Sequence, residues 1–304
     1  MGLVSPRKVH ADQVDIDISL VRELVAVQFP QWGTLPLEPV DSSGLVNAIY
    51  RLGSDLSVRL PLRPSNIDAV RREQAKLAAL APFLPVAIPS VEAIGAPTDA
   101  FPGEWSIHRW LTGTHPSPGA LVDPRGLATD LVAFVDAFRR IDLPDRPPAY
   151  PGERRTRASM VSMDSSTRKA IDELDGLIDT RAALTSWEES LAAPYDGREV
   201  WVHSDLTPHN LLVSAEGRLT AVLDFETCGL GDPACDLFPA WHLLSASVRD
   251  EFRAALDVDD ATWLRGRGRV LSQALIVWSY QKNTNPAIAN HTRHVLGEVL
   301  AASR

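Results

Sequence analysis

Apolar positions along this chain change their period after Gly113. Before it, two short β-prone runs, LVNAIYRLG (residues 45–53) and LSVRLP (56–61), flank Gly53-Ser54-Asp55, a combination that predicts a hairpin. In the next segment, SNIDAVRREQAKLAAL (65–80), Ser65 is followed three residues later by Asp68, and Ile67, Val70, Leu77 and Leu80 recur at helical spacing. A helix opened by a capping box is expected there. After Pro85 and Pro89, SVEAIGA (90–96) and WSIHRWL (105–111) read as two further strands. The first third is therefore expected to be strand-like and punctuated by turns, an antiparallel sheet with one inserted helix.

Beyond Gly113 the period is helical. A Gly/Pro-rich connection, GTHPSPGALVDP (113–124), leads into LATDLVAFVDAFRRI (127–141), which sets Leu127, Leu131, Phe134, Val135 and Phe138 on one face. Residues 143–157, rich in Pro and Arg, predict an exposed loop, and residues 165–191 a helix. EVWVHSDL (199–206) and RLTAVLDFE (218–226) read as short strands around the turn SAEGR (214–218), and residues 236–304 as helical throughout. The expected organisation is α+β, with one unit over residues 1–112 and a mainly helical one over 113–304.

Composition narrows the function classes. A chain of 304 residues, 45% hydrophobic, can fill a large core, and a formal net charge of −9 is the wrong sign for nucleic acid or an anionic membrane. A small, cationic ligand suits it better. The opening MGLVSPRKVHADQVDID has no leading apolar segment, and no run approaches the roughly 18 apolar residues that a membrane helix needs. With only Cys228 and Cys235 for thiols, the expectation is a cytoplasmic protein without a disulfide framework.

The chemistry is concentrated in VHSDLTPHNLLV (202–213). His203, Asp205 and His209 are residue types that bind zinc, but no second histidine-rich segment completes a hydrolase site. Phosphoryl transfer asks for something else: a carboxylate to orient the attacking hydroxyl, a side-chain carbonyl nearby to hold magnesium, and a second carboxylate from another segment. Asp205 and Asn210 stand in the spacing D-x-x-x-x-N, and Asp224 ends the apolar run LTAVLDFE. All three are hard oxygen donors, as magnesium prefers.

Taken together, HSDLTPHNLLV, AVLDFETCGLGDPACDL and WSIHRWLTG resemble the aminoglycoside phosphotransferase family, which has a protein-kinase-like fold in two lobes, an N-lobe sheet with one helix and a mainly helical C-lobe. The resemblance spans most of the chain, although Ser204 stands where the family motif H-G-D-x-x-x-x-N has glycine. It implies that Asp205 is the catalytic base, that Asn210 and Asp224 hold Mg²⁺ on the nucleotide phosphates, and that His203 ties the loop to neighbouring backbone. Asp232 and Asp236 are then scaffold residues, Asp236 capping the next helix. Arg59 takes the place of the usual strand lysine, facing Glu73 on the following helix. Ser43 and Gly44, with Ser42 and Asn47, form the phosphate-covering turn, which is no G-x-G-x-x-G. Arg109, Trp110 and Leu111, after His108, resemble the interlobe hinge whose backbone reads the base of ATP or GTP. The implied acceptor is a small molecule, aminoglycoside-like, with Glu226, Trp241, Trp278 and Tyr280 as candidate walls. A metabolic kinase of sugars or amino alcohols and a nucleotide-binding pseudokinase remain the alternatives.

Overall fold

The computed structural model describes residues 14–40, 46–63, 69–143, 160–282 and 285–302. The described chain divides into two compact units, one comprising residues up to Pro82 together with Ile88–Leu111, the other Phe83–Ala87 and Thr112 onward.

The first unit holds a five-stranded antiparallel sheet built from β1 (Leu37–Pro39), β2 (Asn47–Leu52), β3 (Leu56–Pro61), β4 (Val91–Gly95) and β5 (Trp105–Arg109), in the order β1-β2-β3-β5-β4. The hairpin expected at Gly53-Ser54-Asp55 joins β2 to β3, and Gly53 turns there at φ 63°, where a side chain is disfavoured. Strand alternation makes the sheet two-sided. Val58 and Leu60 of β3 and Trp105 and Ile107 of β5 enter the apolar core with Tyr50, Leu52 and Phe101. Ser57 and Arg59 point the other way, where register pairs them with His108 and Ser106.

One element departs from the expected sheet with a single inserted helix. Helix α1 (Ile18–Gln28) covers the apolar face with Val21, Leu24 and Val25, and β1 follows it. Its β-branched residues suggest a strand, but Asp17 caps it by accepting the Leu20 N–H at 2.8 Å, and its buried side chains recur at helical spacing. Helix α2 (Ala69–Leu80) lies where the periodicity puts it and buries Val70, Leu77 and Leu80, while its expected capping box at Ser65 and Asp68, with Ile67, lies outside the described residues.

In the second unit, α3 (Pro124–Arg139) is capped by Asp123 and buries the predicted face of Leu127, Leu131, Phe134, Val135 and Phe138. The helix expected over 165–191 is two, α4 (Met160–Glu173) and α5 (Thr180–Ala192), because Gly176 at φ 75° breaks the run and Asp179 caps a new start. From residue 144, the expected 143–157 loop falls outside the described residues. Strand pairing also differs from the expectation. β6 (Val200–Val202) pairs with β9 (Gly229–Gly231), while the hairpin around SAEGR joins β7 (Leu211–Val213) to β8 (Leu219–Val222). The polar loop thus runs from β6 of one ribbon to β7 of the other. The C-terminal residues form α6 (Pro239–His242), α7 (Ala246–Ala255), α8 (Asp260–Gln281) and α9 (Pro286–Ala301), with α8 packed on α4, α5 and α9. Its approach to α5 requires Gly268, where an added Cβ would fall 2.4 Å from the Ser190 Cβ. No helix among the described residues is long and apolar enough to cross a membrane.

Candidate active site

The loop between β6 and β7 is pinned from three directions. His203 is fully buried, and both its ring nitrogens are engaged. Nδ1 accepts the Asp205 N–H at 3.3 Å, which leaves the proton on Nε2 to donate to the Leu223 carbonyl at 2.9 Å. This removes His203 from any zinc site. No group of three or more His, Cys, Asp or Glu side chains among the described residues is arranged to hold a metal ion.

Asp236 supplies the second anchor, accepting the His203 N–H at 3.1 Å and the Ser204 N–H at 2.8 Å. This corrects its expected capping role: Asp232 caps the turn Pro233–Asp236 by accepting the Ala234 N–H at 3.0 Å. Burial pushes the Asp236 carboxyl up to about 6, against the two backbone N–H groups and the charge of Arg139, which pull it down. Since the folded chain then holds this proton more tightly than the unfolded one, the group's contribution is fully present below about pH 4 and is lost as pH rises through 6, a change of about 3 kcal/mol. Because the depressed His108, His242 and His291 gain stability over the same range, the Asp236 term is read as a difference: between pH 4 and 7, denaturant titrations are expected to show wild type losing stability relative to Asp236→Asn as pH rises. Equal slopes would refute the assignment.

The third anchor is the loop's own backbone. Ser204, at φ 65°, occupies the left-handed conformation that explains the glycine of the family motif. Its hydroxyl donates to the Thr227 carbonyl at 3.2 Å, a bond glycine could not make. Strain and hydrogen bond are each worth about 1 kcal/mol. Ser204→Gly is therefore expected to change unfolding free energy by under about 1 kcal/mol, and Ser204→Ala to cost about 1 kcal/mol more than the glycine variant, read by denaturant melts.

The pinned loop brings the predicted oxygen groups together. The Asn210 Nδ2 donates to the Asp205 Oδ2 and to the Asp205 carbonyl, both at 2.9 Å. The Leu223 N–H donates to the Asn210 carbonyl at 2.8 Å, which places Asp224 next in line at φ 60°. With its amide nitrogen turned toward Asp205, Asn210 keeps Oδ1 for a cation, and the Asp224 side chain is exposed. One amide oxygen and one carboxylate suit magnesium, which takes few protein ligands and fills the remainder with water and phosphate.

Behind the loop lies a buried ion pair. Arg265 of α8 grips Asp232 through two bonds, Nε to Oδ2 at 2.8 Å and Nη2 to Oδ1 at 3.1 Å, and the Arg269 guanidinium lies 3.7 Å from the same carboxylate. Cys228 and Cys235 are buried and unbridged, and burial pushes the Cys235 thiol up to about 12.

In the first unit, the Arg59 guanidinium stands 3.9 Å from Glu73, and its Nε is buried without a hydrogen-bond partner among the described residues. The same sheet face carries His108, held neutral down to about 3 by burial and by Arg59, with its Nε2 2.8 Å from the Ser106 hydroxyl. Of the hinge candidates, the Arg109 N–H is spent on the Ser90 carbonyl at 3.1 Å and that of Trp110 on the Asp55 carbonyl at 2.7 Å. The Trp110 ring is covered by Arg51 at 4.4 Å. The Leu111 N–H makes no backbone bond among the described residues. Ser43 and Gly44 lie outside the described residues.

The acceptor candidates scatter. Glu226 is exposed beside Asp224, its N–H 3.3 Å from the Asp224 Oδ1. Trp241 is fully buried, 4.6 Å from the Trp263 ring, and Trp278 is 4% exposed. Both rings are thus spent on packing, which corrects their reading as acceptor walls. Tyr280, 79% exposed on α8, remains open to solvent. What the sequence did not reveal is a set of histidines around His209. Its ring lies 6.3 Å from that of His115 and 6.2 Å from that of His291, while His291 is hydrogen-bonded to His242 at 3.0 Å. Nothing in one sequence couples positions 115, 209, 242 and 291.

A family model described as "Phosphotransferase enzyme family" matches residues 39–271. No curated protein matches the chain. Among solved structures, APH(2")-IIia in complex with GDP and kanamycin is 18% identical, with a TM-score of 0.69 and coverage of 93% of this chain and 98% of that one. The macrolide 2'-phosphotransferase MphH from Brachybacterium faecium is 21% identical, TM-score 0.59, covering 92% and 97%. Macrolide 2'-phosphotransferase type I is 17% identical, TM-score 0.62, covering 91% and 96%. These likenesses establish the fold as α+β and protein-kinase-like.

Proposed function

The chain belongs to the aminoglycoside phosphotransferase family, and on that premise we propose that it moves the γ-phosphoryl group of ATP or GTP to a hydroxyl of a small molecule. The observation that carries this reading is the Asn210 side chain, which is tied to Asp205 while its backbone is tied to the residue before Asp224. Asp205 orients the acceptor hydroxyl and takes its proton. The acceptor oxygen then bonds to the γ-phosphorus as the bond to the β–γ bridging oxygen breaks, and nucleoside diphosphate leaves. Asn210 Oδ1 and Asp224 would hold Mg²⁺, which when bound neutralises charge on the phosphates. Arg59, oriented by Glu73, meets the phosphates. The Leu111 N–H, which makes no backbone bond among the described residues, is the one of the three hinge residues left to meet the base. Such a site accelerates transfer by positioning and electrostatics, with no covalent enzyme intermediate.

For the acceptor, overall charge and local surroundings pull apart. The net charge of −9 draws cations such as aminoglycosides at long range, but contact selection is local, and beside the carboxylates of Asp224 and Glu226 the Asp205 loop carries His209, with His115 and His291 near its ring. The test is diphosphate release from ATP and GTP with aminoglycosides, macrolides, amino alcohols and sugars. Release with at least one acceptor supports the reading, and nucleotide binding without transfer to any of them would make the chain a pseudokinase.

A further inference from the structure

The chain has eight histidines, and His115, His209, His242, His291 and His294 gather in the second unit around the Asp205 loop. Four of their rings form a continuous row. His115 is tied through Nδ1 to the Leu211 carbonyl at 3.0 Å and lies 6.3 Å from His209, His209 lies 6.2 Å from His291, and His291 lies 5.2 Å from His242. The row begins in the connection before α3, crosses the loop between Asp205 and Asn210, and ends on α9 and α6. His209 is exposed and His291 partly so, which leaves both reachable.

His242 is the base of the row. It is 4% exposed, stacked on Phe238 at 5.6 Å, and its Nδ1 meets the His291 Nε2 at 3.0 Å. That bond commits one nitrogen of His291 and couples its tautomer to that of His242, so His291 has its other nitrogen, Nδ1, to offer. The His242 Nε2 is buried with no hydrogen-bond partner among the described residues. No carboxylate hydrogen-bonds to any of the four rings among the described residues, and Arg293, beside His291 in sequence, is drawn off over the Trp278 ring at 5.5 Å. Burial, and then the neighbouring histidines, push His242 down to about 3 and His291 to about 4.

An ammonium-rich ligand is held by carboxylates or aromatic faces, and a row of imidazoles supplies no carboxylate. A neutral imidazole presents one donor and one acceptor nitrogen, which matches a hydroxyl that both gives and takes a hydrogen bond. Resting on the reading of Asp205 as the carboxylate that faces the acceptor, we propose that the histidine row is the acceptor-binding wall and selects an uncharged, polyhydroxylated, sugar-like acceptor. His209 and His291 hydrogen-bond its hydroxyls, and His242 is a positioning residue that acts through His291.

The experiment pairs turnover with binding. Myo-inositol, trehalose and methyl glucoside stand for the uncharged class, kanamycin for the polycation, and glucuronate for an anion. Diphosphate release and acceptor mass are measured in wild type, Asp205→Asn, His209→Ala and His291→Ala, and imidazole NMR signals, assigned with His209→Asn and His291→Asn, follow binding of each probe. The expected result is transfer to an uncharged probe, shifts of the His209 and His291 signals by that probe and not by kanamycin, and a rise in its KM of about tenfold in each alanine variant with kcat little changed, the loss expected for one hydrogen bond. His242→Leu should reproduce the His291→Ala rise in KM, and with it the loss of the His291 shift. Shifts caused by kanamycin or glucuronate, KM unchanged by both alanine variants, or no response to any probe would overturn the histidine wall. Transfer that survives Asp205→Asn would instead overturn the reading of the catalytic loop.

Discussion

Asp205→Asn is expected to lower kcat for phosphoryl transfer by about 10²–10⁴-fold while nucleotide affinity stays within about threefold. The substitution keeps the size of the side chain and one oxygen, so the loop retains its three anchors through His203, Asp236 and Ser204. What disappears is the charge that orients the acceptor hydroxyl and the site that takes its proton. In wild type the Asn210 amide donates to the Asp205 Oδ2 at 2.9 Å, so the new amide must turn its oxygen toward Asn210 and its nitrogen toward the acceptor. A donor then stands where an acceptor is needed. Single-turnover diphosphate release, run beside calorimetric nucleotide titration, separates the two effects. Turnover within tenfold of wild type would remove Asp205 from the chemistry.

The largest effect on stability is expected at Asp232. Asp232→Ala strips both carboxylate hydrogen bonds from a guanidinium that is itself buried, and breaking one side of such a pair costs about 3–5 kcal/mol, because the remaining charge is left without its counter-ion. The loss also removes the cap on the Ala234 N–H. Arg265 retains its bonds to the Pro194 carbonyl and Thr262, which sets the effect nearer the lower end of that range. In the double variant with Arg265→Met, part of the loss should return, since the Arg265 charge goes with its partner and only the Arg269 guanidinium, 3.7 Å from that carboxylate, stays. Chemical denaturation of Asp232→Ala, Arg265→Met and the double variant measures this. A cost below about 1 kcal/mol for Asp232→Ala would mean that Arg265 is relieved by water or by another carboxylate.

What could be read from the sequence followed from local physics. The β2–β3 hairpin, the apolar face of α3 and the spacing of Asp205 and Asn210 all depend on residues a few positions apart, where periodicity and turn chemistry act. The structure joins Asp205 to Asn210 and Asn210 to the residue before Asp224, as that chemistry asks. The failures came where local and distant forces disagree. Helix α1 carries the β-branched Ile18, Val21, Val25 and Val27, which a single cap and a distant sheet hold in a helix. The pairing of β6 with β9 spans residues 200 to 231, too far for a turn signal. Trp241 and Trp278 look like ligand walls only until their helices are packed. Asp236 looks like a cap because it follows a proline-started turn, yet its oxygens reach back to residues 203 and 204.

The two-sided sheet of the first unit couples folding to competence. Along β3 and β5 the residues that fill the core alternate with those that line the polar face, so a slip of one residue would drive Arg59 among Leu60, Trp105 and Ile107 and turn Val58 outward. Burying that guanidinium among hydrocarbon is too costly for such a register to persist. Arg59 is therefore proofread by the oil on the opposite face: any molecule stable enough to accumulate already presents it on the polar side, and no separate device is needed to discard the misregistered ones.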